Sequence, residues 1–201
     1  TPVIATLRAE GLGLPISIDT RKSAVAGPAA AAGAGMINDV AALTFDPLMP
    51  RVAAATGADL CLMHFKGEPK TMQVAPAYED VTLEVYAFLE DRIAAAEAAG
   101  IPRGRICVDP GIGFGKTIQH NLTLIRNLSV FHGLGCPILL GVSRKRFIGT
   151  IAGQPNAANR DTGTQAILLA GVVQGAQIHR IHDVPGARQA LALWRAVTEG
   201  Y

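Results

Sequence analysis

Asp109 ends a short apolar run, Ile106-Cys107-Val108, and Pro110-Gly111-Ile112-Gly113-Phe114-Gly115-Lys116 follows at once. A strand that stops at a carboxylate and turns through glycines is the grammar of a ligand-binding loop. The loop misses the phosphate-binding pattern G-x-x-x-x-G-K-[ST] by one residue, because its first glycine falls on Pro110. It also misses G-x-G-x-x-G, since Gly111, Gly113 and Gly115 alternate. Alternating glycines suit a backbone that passes close to a flat ligand. A tight turn without a ligand has the same signature. Five other apolar runs also finish on polar groups: Asp19, Asn38, His64, Ser143 with Lys145, and Arg180 with His182. Such carboxylates, amides and cations can bind and polarise a polar ligand. Their shared placement at run ends argues against chance loop-start residues.

The elements that must carry these groups are short. Apolar runs at residues 16–18, 36–37, 60–63, 106–108, 138–140 and 178–181 are too brief for helices and read as buried strands. Helical stripes lie between them. Val81, Val85, Phe88, Leu89 and Ile93 share one face, with Gly100 as the stop. Leu124, Ile125, Leu128 and Phe131 form a second, with Asn121 as N-cap and Gly133 as the stop. Residues 166–173 form a third, closed at Gly175. Pro185 opens a last helix, with Ala187, Leu191, Trp194 and Val197 at helical spacing. Gly33-Ala34, Gly57-Ala58 and Gly175-Ala176 each close a helix just before a strand. Strand and helix alternate without hairpin signals, which predicts a parallel α/β sheet.

Composition narrows the classes. The chain has 201 residues, 49% hydrophobic and 17% charged, which suits one globular domain with a sizeable core. A net charge of +2 and 5% aromatics argue against nucleic-acid binding, and no apolar run is long enough to span a membrane. No signal peptide is evident at the start. Cys61, Cys107 and Cys136 are an odd set without a C-x-x-C pair. They read as reduced core thiols, which places the chain in the cytoplasm.

Parallel strands whose C-terminal ends all carry polar groups predict a (β/α)8 TIM barrel, with the site on that one face. Only six βα units are present. Thr1 stands at the start of a helix with Val3, Ile4 and Leu7, so the first two units, on the order of 60 residues, are expected to be absent. Residues 1–201 then form one N-terminally incomplete barrel domain.

From residue 16 onward the chain resembles dihydropteroate synthases, the pterin-binding TIM-barrel family of folate biosynthesis. The segments that carry the resemblance are Ser17-Ile18-Asp19-Thr20-Arg21-Lys22, Ile37-Asn38-Asp39-Val40 and Leu62-Met63-His64. Gly67-Glu68-Pro69-Lys70-Thr71-Met72-Gln73, residues 109–116, Gly141-Val142-Ser143-Arg144-Lys145 and Arg180-Ile181-His182-Asp183-Val184 complete the set. The resemblance implies a transferase that joins 6-hydroxymethyl-7,8-dihydropterin diphosphate to p-aminobenzoate and releases diphosphate. It implies that Asp109 takes the paired N–H donors of the pterin edge, that Asn38 reads the rest of that edge, and that Met63 and Gly141 line the pterin. Asp19 would stabilise the cation formed as diphosphate leaves. Lys145 would bond the pterin and adjoin p-aminobenzoate, beside Phe114 and Ser143. Arg180 would stack on the ring and, with His182, hold the diphosphate.

The resemblance further implies Mg²⁺ as cofactor, a cytoplasmic homodimer and sensitivity to sulfonamides. The family's metal-holding asparagine and its Thr-Arg loop fall before Thr1, so no metal ligand is assigned. Arg146 stands where a small hydroxyl residue is common. It either pairs with the p-aminobenzoate carboxylate or points away. Phe65-Lys66 also departs from the family's usual residues. His64, His120, His132 and His179 read as structural or surface residues. Two other functions share the fold: a pterin-binding methyltransferase passing a folate methyl group to a corrinoid, and a non-catalytic pterin-binding protein. The motifs at residues 143–145 and 180–182 favour the synthase.

Overall fold

Residues 1–67 and 75–200 are described in a computed structural model. Most of the expected loop motif at residues 67–73 lies outside the described residues. The chain forms two compact units. The first comprises Thr1–Phe65, Leu83–Pro110 and Leu134–Pro137; the second comprises Lys66–Thr82, Gly111–Gly133 and the chain from Ile138 onward.

The first unit is built on a four-stranded parallel sheet, β1 (Ser17–Asp19), β2 (Met36–Asp39), β3 (Asp59–Met63) and β4 (Ile106–Asp109), in that spatial order. Parallel neighbours need crossovers, and helices α1 (Pro2–Ala9), α2 (Ser23–Ala31), α3 (Met49–Thr56) and α4 (Val81–Ala98) alternate with the strands. Ile37, Leu60, Leu62, Ile106 and Val108 are fully buried. Each such side chain contributes about 1.5–3 kcal/mol on leaving water. In α4, Val85, Leu89, Ile93 and Ala96 are buried at helical spacing. Gly57 ends α3 in the left-handed conformation its position predicts, at φ +71°.

The second unit holds a two-stranded parallel sheet, β5 (Leu139–Leu140) and β6 (Ile178–His179), with α5 (Ile118–Arg126), α6 (Arg146–Ile151), α7 (Asp161–Val173) and α8 (Val184–Glu199). Asp183 caps α8 through the Gly186 N–H, and Pro185 lies in its first turn. Gly171 lets α7 lie close: a Cβ there would sit 2.4 Å from Leu140 and 3.3 Å from His179.

All six expected strands form, with parallel pairing. Three reach one or two residues past the C-terminal end of their apolar runs, to Asp19, Asp39 and Asp109, because ladder pairing continues into the polar residue. The last strand ends earlier, at His179, although the Arg180 N–H still donates to Leu140 O at 3.1 Å.

Two helix ends differ from expectation. Thr117, not Asn121, is the N-cap of α5: its side chain accepts from the His120 N–H, and His120 Nδ1 accepts from the Thr117 N–H. A histidine completes this capping box in place of the usual Glu or Gln, which hid it in the sequence. The second correction is Gly133. The chain after α5 continues as a 3₁₀ turn, Leu128–Leu134, and the left-handed residue is Gly135, at φ +68°. Leu128 and Phe131 stay fully buried in that turn, so the stripe persists while the helix type changes.

His179 yields a pH prediction. Its Nε2 lies 3.2 Å from Ala176 O, so that nitrogen carries the proton, and Nδ1 is buried without a partner among the described residues. Burial pushes its pKa below the ordinary 6.5. The unfolded chain takes up a proton near pH 6.5 that the folded chain refuses. His179 therefore contributes stability above pH 6.5 that is lost as pH falls from 6.5 towards the depressed value. Thermal melts should show a steeper loss between pH 7 and 5.5 in wild type than in His179→Gln. Parallel slopes would disprove the assignment.

Candidate active site

The first unit brings its expected residues together by sheet register. Asp19 and Asn38 are lateral partners on β1 and β2, and Met63 and Asp109 are partners on β3 and β4. Asn38 Nδ2 donates to Asp19 Oδ2 at 3.0 Å. Asn38 is 3% exposed, yet its Oδ1 has no hydrogen-bond partner among the described residues. A buried acceptor left unpaired costs about 1–3 kcal/mol, a cost a ligand donor would remove. Asp109 is 1% exposed at the end of β4. A carboxylate is tolerated at that depth only with strong donors to satisfy it. Met63 is also buried. His64 is buried edge-on against Phe88, with ring centroids 4.9 Å apart, in keeping with a structural role.

Asp39 was missed in the sequence. It is buried and accepts from the Ala41 and Leu43 N–H groups at 2.9 and 2.8 Å. Between these anchors Ala42 and Leu43 take positive φ, +46° and +67°. Asp39 thus braces a strained turn directly after Asn38. Desolvation raises its pKa, opposed by those two backbone donors. The signal available was an aspartate at a strand end, a residue type that bonds the backbone two positions on.

The second unit holds the glycine loop. Gly111, Gly113 and Gly115 all take positive φ, at +68°, +84° and +63°. Alternation is therefore a backbone requirement here. Lys145 Nζ donates to Ile112 O and stands 4.6 Å from the centre of the Phe114 ring. It is not a lysine merely solvated at the start of α6. Lys116 is buried and donates to Phe114 O at 3.0 Å. A cavity of about 490 Å³ lies here, lined among others by Phe114, Lys116, Lys145, Arg146 and Thr150. Among the described residues its lining carries three cations and no carboxylate, so it suits an anion beside an aromatic wall. Arg146 lines this cavity.

On the other strand ends of this unit, Arg180 lies against Gly141. A Cβ at Gly141 would stand 3.0, 3.4 and 3.5 Å from Nη2, Nε and Cζ of Arg180. The bare glycine gives the guanidinium a place to lie. Ser143 Oγ and His182 Nδ1 share a hydrogen bond at 2.7 Å, and the His182 N–H donates to Ser143 Oγ at 3.1 Å. These two residues form one polar pair 39 positions apart. Among the described residues, no three His, Cys, Asp or Glu side chains converge as a metal site. No helix is long and apolar enough to cross a membrane, among the described residues.

The family model for pterin binding enzymes matches residues 1–182. The dihydropteroate synthase of Neisseria meningitidis serogroup C is 46% identical over 198 residues, covering 98% of this chain and 69% of that protein. The chain belongs to the dihydropteroate synthase family. A member from Xanthomonas albilineans, solved with 7,8-dihydropteroate, superposes with a TM-score of 0.91 at 43% identity, over 98% of this chain and 73% of that one. A dihydropteroate synthase from Yersinia pestis, solved with a sulfonamide drug, gives 0.94 at 38% identity, over 100% of this chain and 72% of that one. Dihydropteroate synthases are transferases of folate biosynthesis.

Proposed function

We infer that this chain catalyses dihydropteroate synthesis: p-aminobenzoate displaces diphosphate from 6-hydroxymethyl-7,8-dihydropterin diphosphate. The observation that carries the site reading is the buried pair of strand ends, Asn38 with its unpartnered Oδ1 and Asp109 as a deep carboxylate. A pterin edge offers adjacent N–H donors that fit these acceptors. In this reading the two parallel sheets are parts of a (β/α)8 barrel with its site at the C-terminal strand ends.

Asp109 accepts two N–H bonds from the pterin, and Asn38 Oδ1 accepts another. Met63 supplies an apolar wall. Arg180, seated on Gly141, stacks on the ring. As the C–O bond to diphosphate breaks, positive charge spreads from the exocyclic methylene into the ring. Asp19, held by Asn38 at 3.0 Å, lowers the energy of that cation. Arg180 and His182 take the departing diphosphate, and Ser143 fixes the imidazole. The p-aminobenzoate ring lies along Phe114 near Lys145, and its amine forms the new C–N bond, losing a proton. Its carboxylate pairs with Arg146 in the cavity.

Mg²⁺ is proposed to travel with the diphosphate oxygens. The described residues offer no converging carboxylate or imidazole set for it. A cytoplasmic homodimer without nucleic-acid partners completes the reading, on the resemblance and the small net charge.

Full-length protein given both substrates and Mg²⁺ should release diphosphate and form dihydropteroate, and sulfonamides should compete with p-aminobenzoate. No product, with calorimetric binding of the pterin diphosphate intact, would replace this reading with a non-catalytic binder. Methyl transfer to a corrinoid would replace it with the methyltransferase.

A further inference from the structure

Arg144 stands between Ser143 and Lys145 with φ +57°, a left-handed backbone that a side chain resists. Its guanidinium makes a two-pronged contact with Asp161: Nε to Oδ1 at 2.8 Å and Nη2 to Oδ2 at 2.7 Å. Its N–H donates to Thr164 Oγ1 at 3.0 Å, and Arg160 Nη1 donates to its carbonyl at 2.9 Å. Thr164 is buried, and its hydroxyl donates to Arg160 O at 2.9 Å. Residues 160–164 thus grip the amide, the carbonyl and the side chain of one strained residue. Asp161 opens α7, where a carboxylate also suits the helix dipole.

The consequence falls on its neighbours. The φ of residue 144 sets the direction in which the chain enters α6. Lys145 follows at once, as N-cap of α6, with its amine on Ile112 O and Phe114. Ser143 precedes it and holds His182. Arg144 is absent from the cavity lining that includes Lys145 and Arg146, and its two-pronged contact is spent on Asp161.

We propose that Arg144 and Asp161 are a positioning pair: their contact holds the left-handed backbone that aims Lys145, and neither touches substrate. The catalytic consequence rests on the transferase reading above. The backbone claim does not.

Glycine adopts φ +57° without strain, whereas alanine pays for it. Arg144→Gly therefore keeps the backbone and discards the charge; Arg144→Ala loses both. With full-length protein, Arg144→Ala and Asp161→Asn should lower kcat/KM for p-aminobenzoate roughly 10–100-fold, the scale of a small misplacement of a site group. Arg144→Gly should recover most of that loss. Adding Asp161→Asn to Arg144→Gly should cost nothing more, because the pair is already gone. A glycine variant as poor as the alanine variant would overturn the proposal, since it would make the guanidinium itself the active group. Near-wild-type rates in Arg144→Ala would overturn it too. Melting temperature decides the backbone claim without the reaction. Arg144→Gly should melt above Arg144→Ala by about 2–4 °C, despite glycine's usual entropic disadvantage. An equal or lower value refutes the proposal. Absent synthase activity in wild type, the functional reading fails and the melts still decide.

Discussion

Asparagine in place of Asp109 should lower kcat/KM for the pterin diphosphate by roughly 30- to 5,000-fold. The substitution keeps size and shape but removes the charge. It also turns one acceptor into an N–H₂ group that faces the pterin's own donors. Losing one partner of a buried, charge-assisted pair typically costs 2–5 kcal/mol, which converts to that range. Burial makes the loss severe here: at 1% exposure, little water can step in to replace the contact. Calorimetry separates binding from chemistry. The affinity for pterin diphosphate should fall with kcat/KM, while the KM for p-aminobenzoate changes little. A variant that binds the pterin diphosphate like wild type would remove Asp109 from the pterin edge. Melting curves should be run alongside, because a less stable variant would lose activity for a different reason.

Alanine at Gly115 should cost about 3 kcal/mol of stability, on the order of 10 °C in melting temperature. Two effects add. The φ of +63° penalises any Cβ by about 1–2 kcal/mol. The new atom would also stand 2.1 Å from Lys66 O and 3.0 Å from Lys66 C, which are backbone atoms that cannot rotate away. Forcing an atom into packed structure typically costs 1–3 kcal/mol. Further contacts hold this approach: Tyr78 Oη donates to Gly115 O at 2.9 Å, and Lys66 Nζ donates to Ala77 O at 2.7 Å while lying 4.2 Å from the Tyr78 ring centre. The clash must therefore move either that brace or the loop that carries Phe114 and Lys116. Gly57→Ala is the control. Gly57 has φ +71°, but a Cβ there meets nothing within 4 Å among the described residues. It should lose only the conformational part. Equal losses at the two positions would mean that the approach of Lys66 to the loop is not tight.

Strand and helix order was legible along the chain because it rests on local properties. Apolar runs of two to four residues, punctuated by glycine, mark strands whatever surrounds them. Gly57 and Gly175 adopt positive φ because no other residue does so at low cost. The polar strand ends were legible for the same reason: Asp19, Asn38 and Asp109 interrupt apolar patterns, whereas Lys145 stands beyond β5 as the N-cap of α6. Asp39 was not, because an aspartate beside Asn38 reads as part of the same polar end. Its burial and its two backbone bonds exist only once the chain has turned. Thr117 was displaced by Asn121 in the sequence, since both residue types cap helices and only the helix's real start chooses between them.

The sequence by itself thus determined which groups are present and that they sit at the ends of parallel strands. The tertiary structure decided which groups meet. Asn38 reaches Asp19 across 19 positions through sheet register, Ser143 reaches His182 across 39, and Arg144 reaches Asp161 across 17. Such pairings depend on the crossing of strands and the docking of helices, which sum many weak contacts over the whole core. No short window of residues contains that sum.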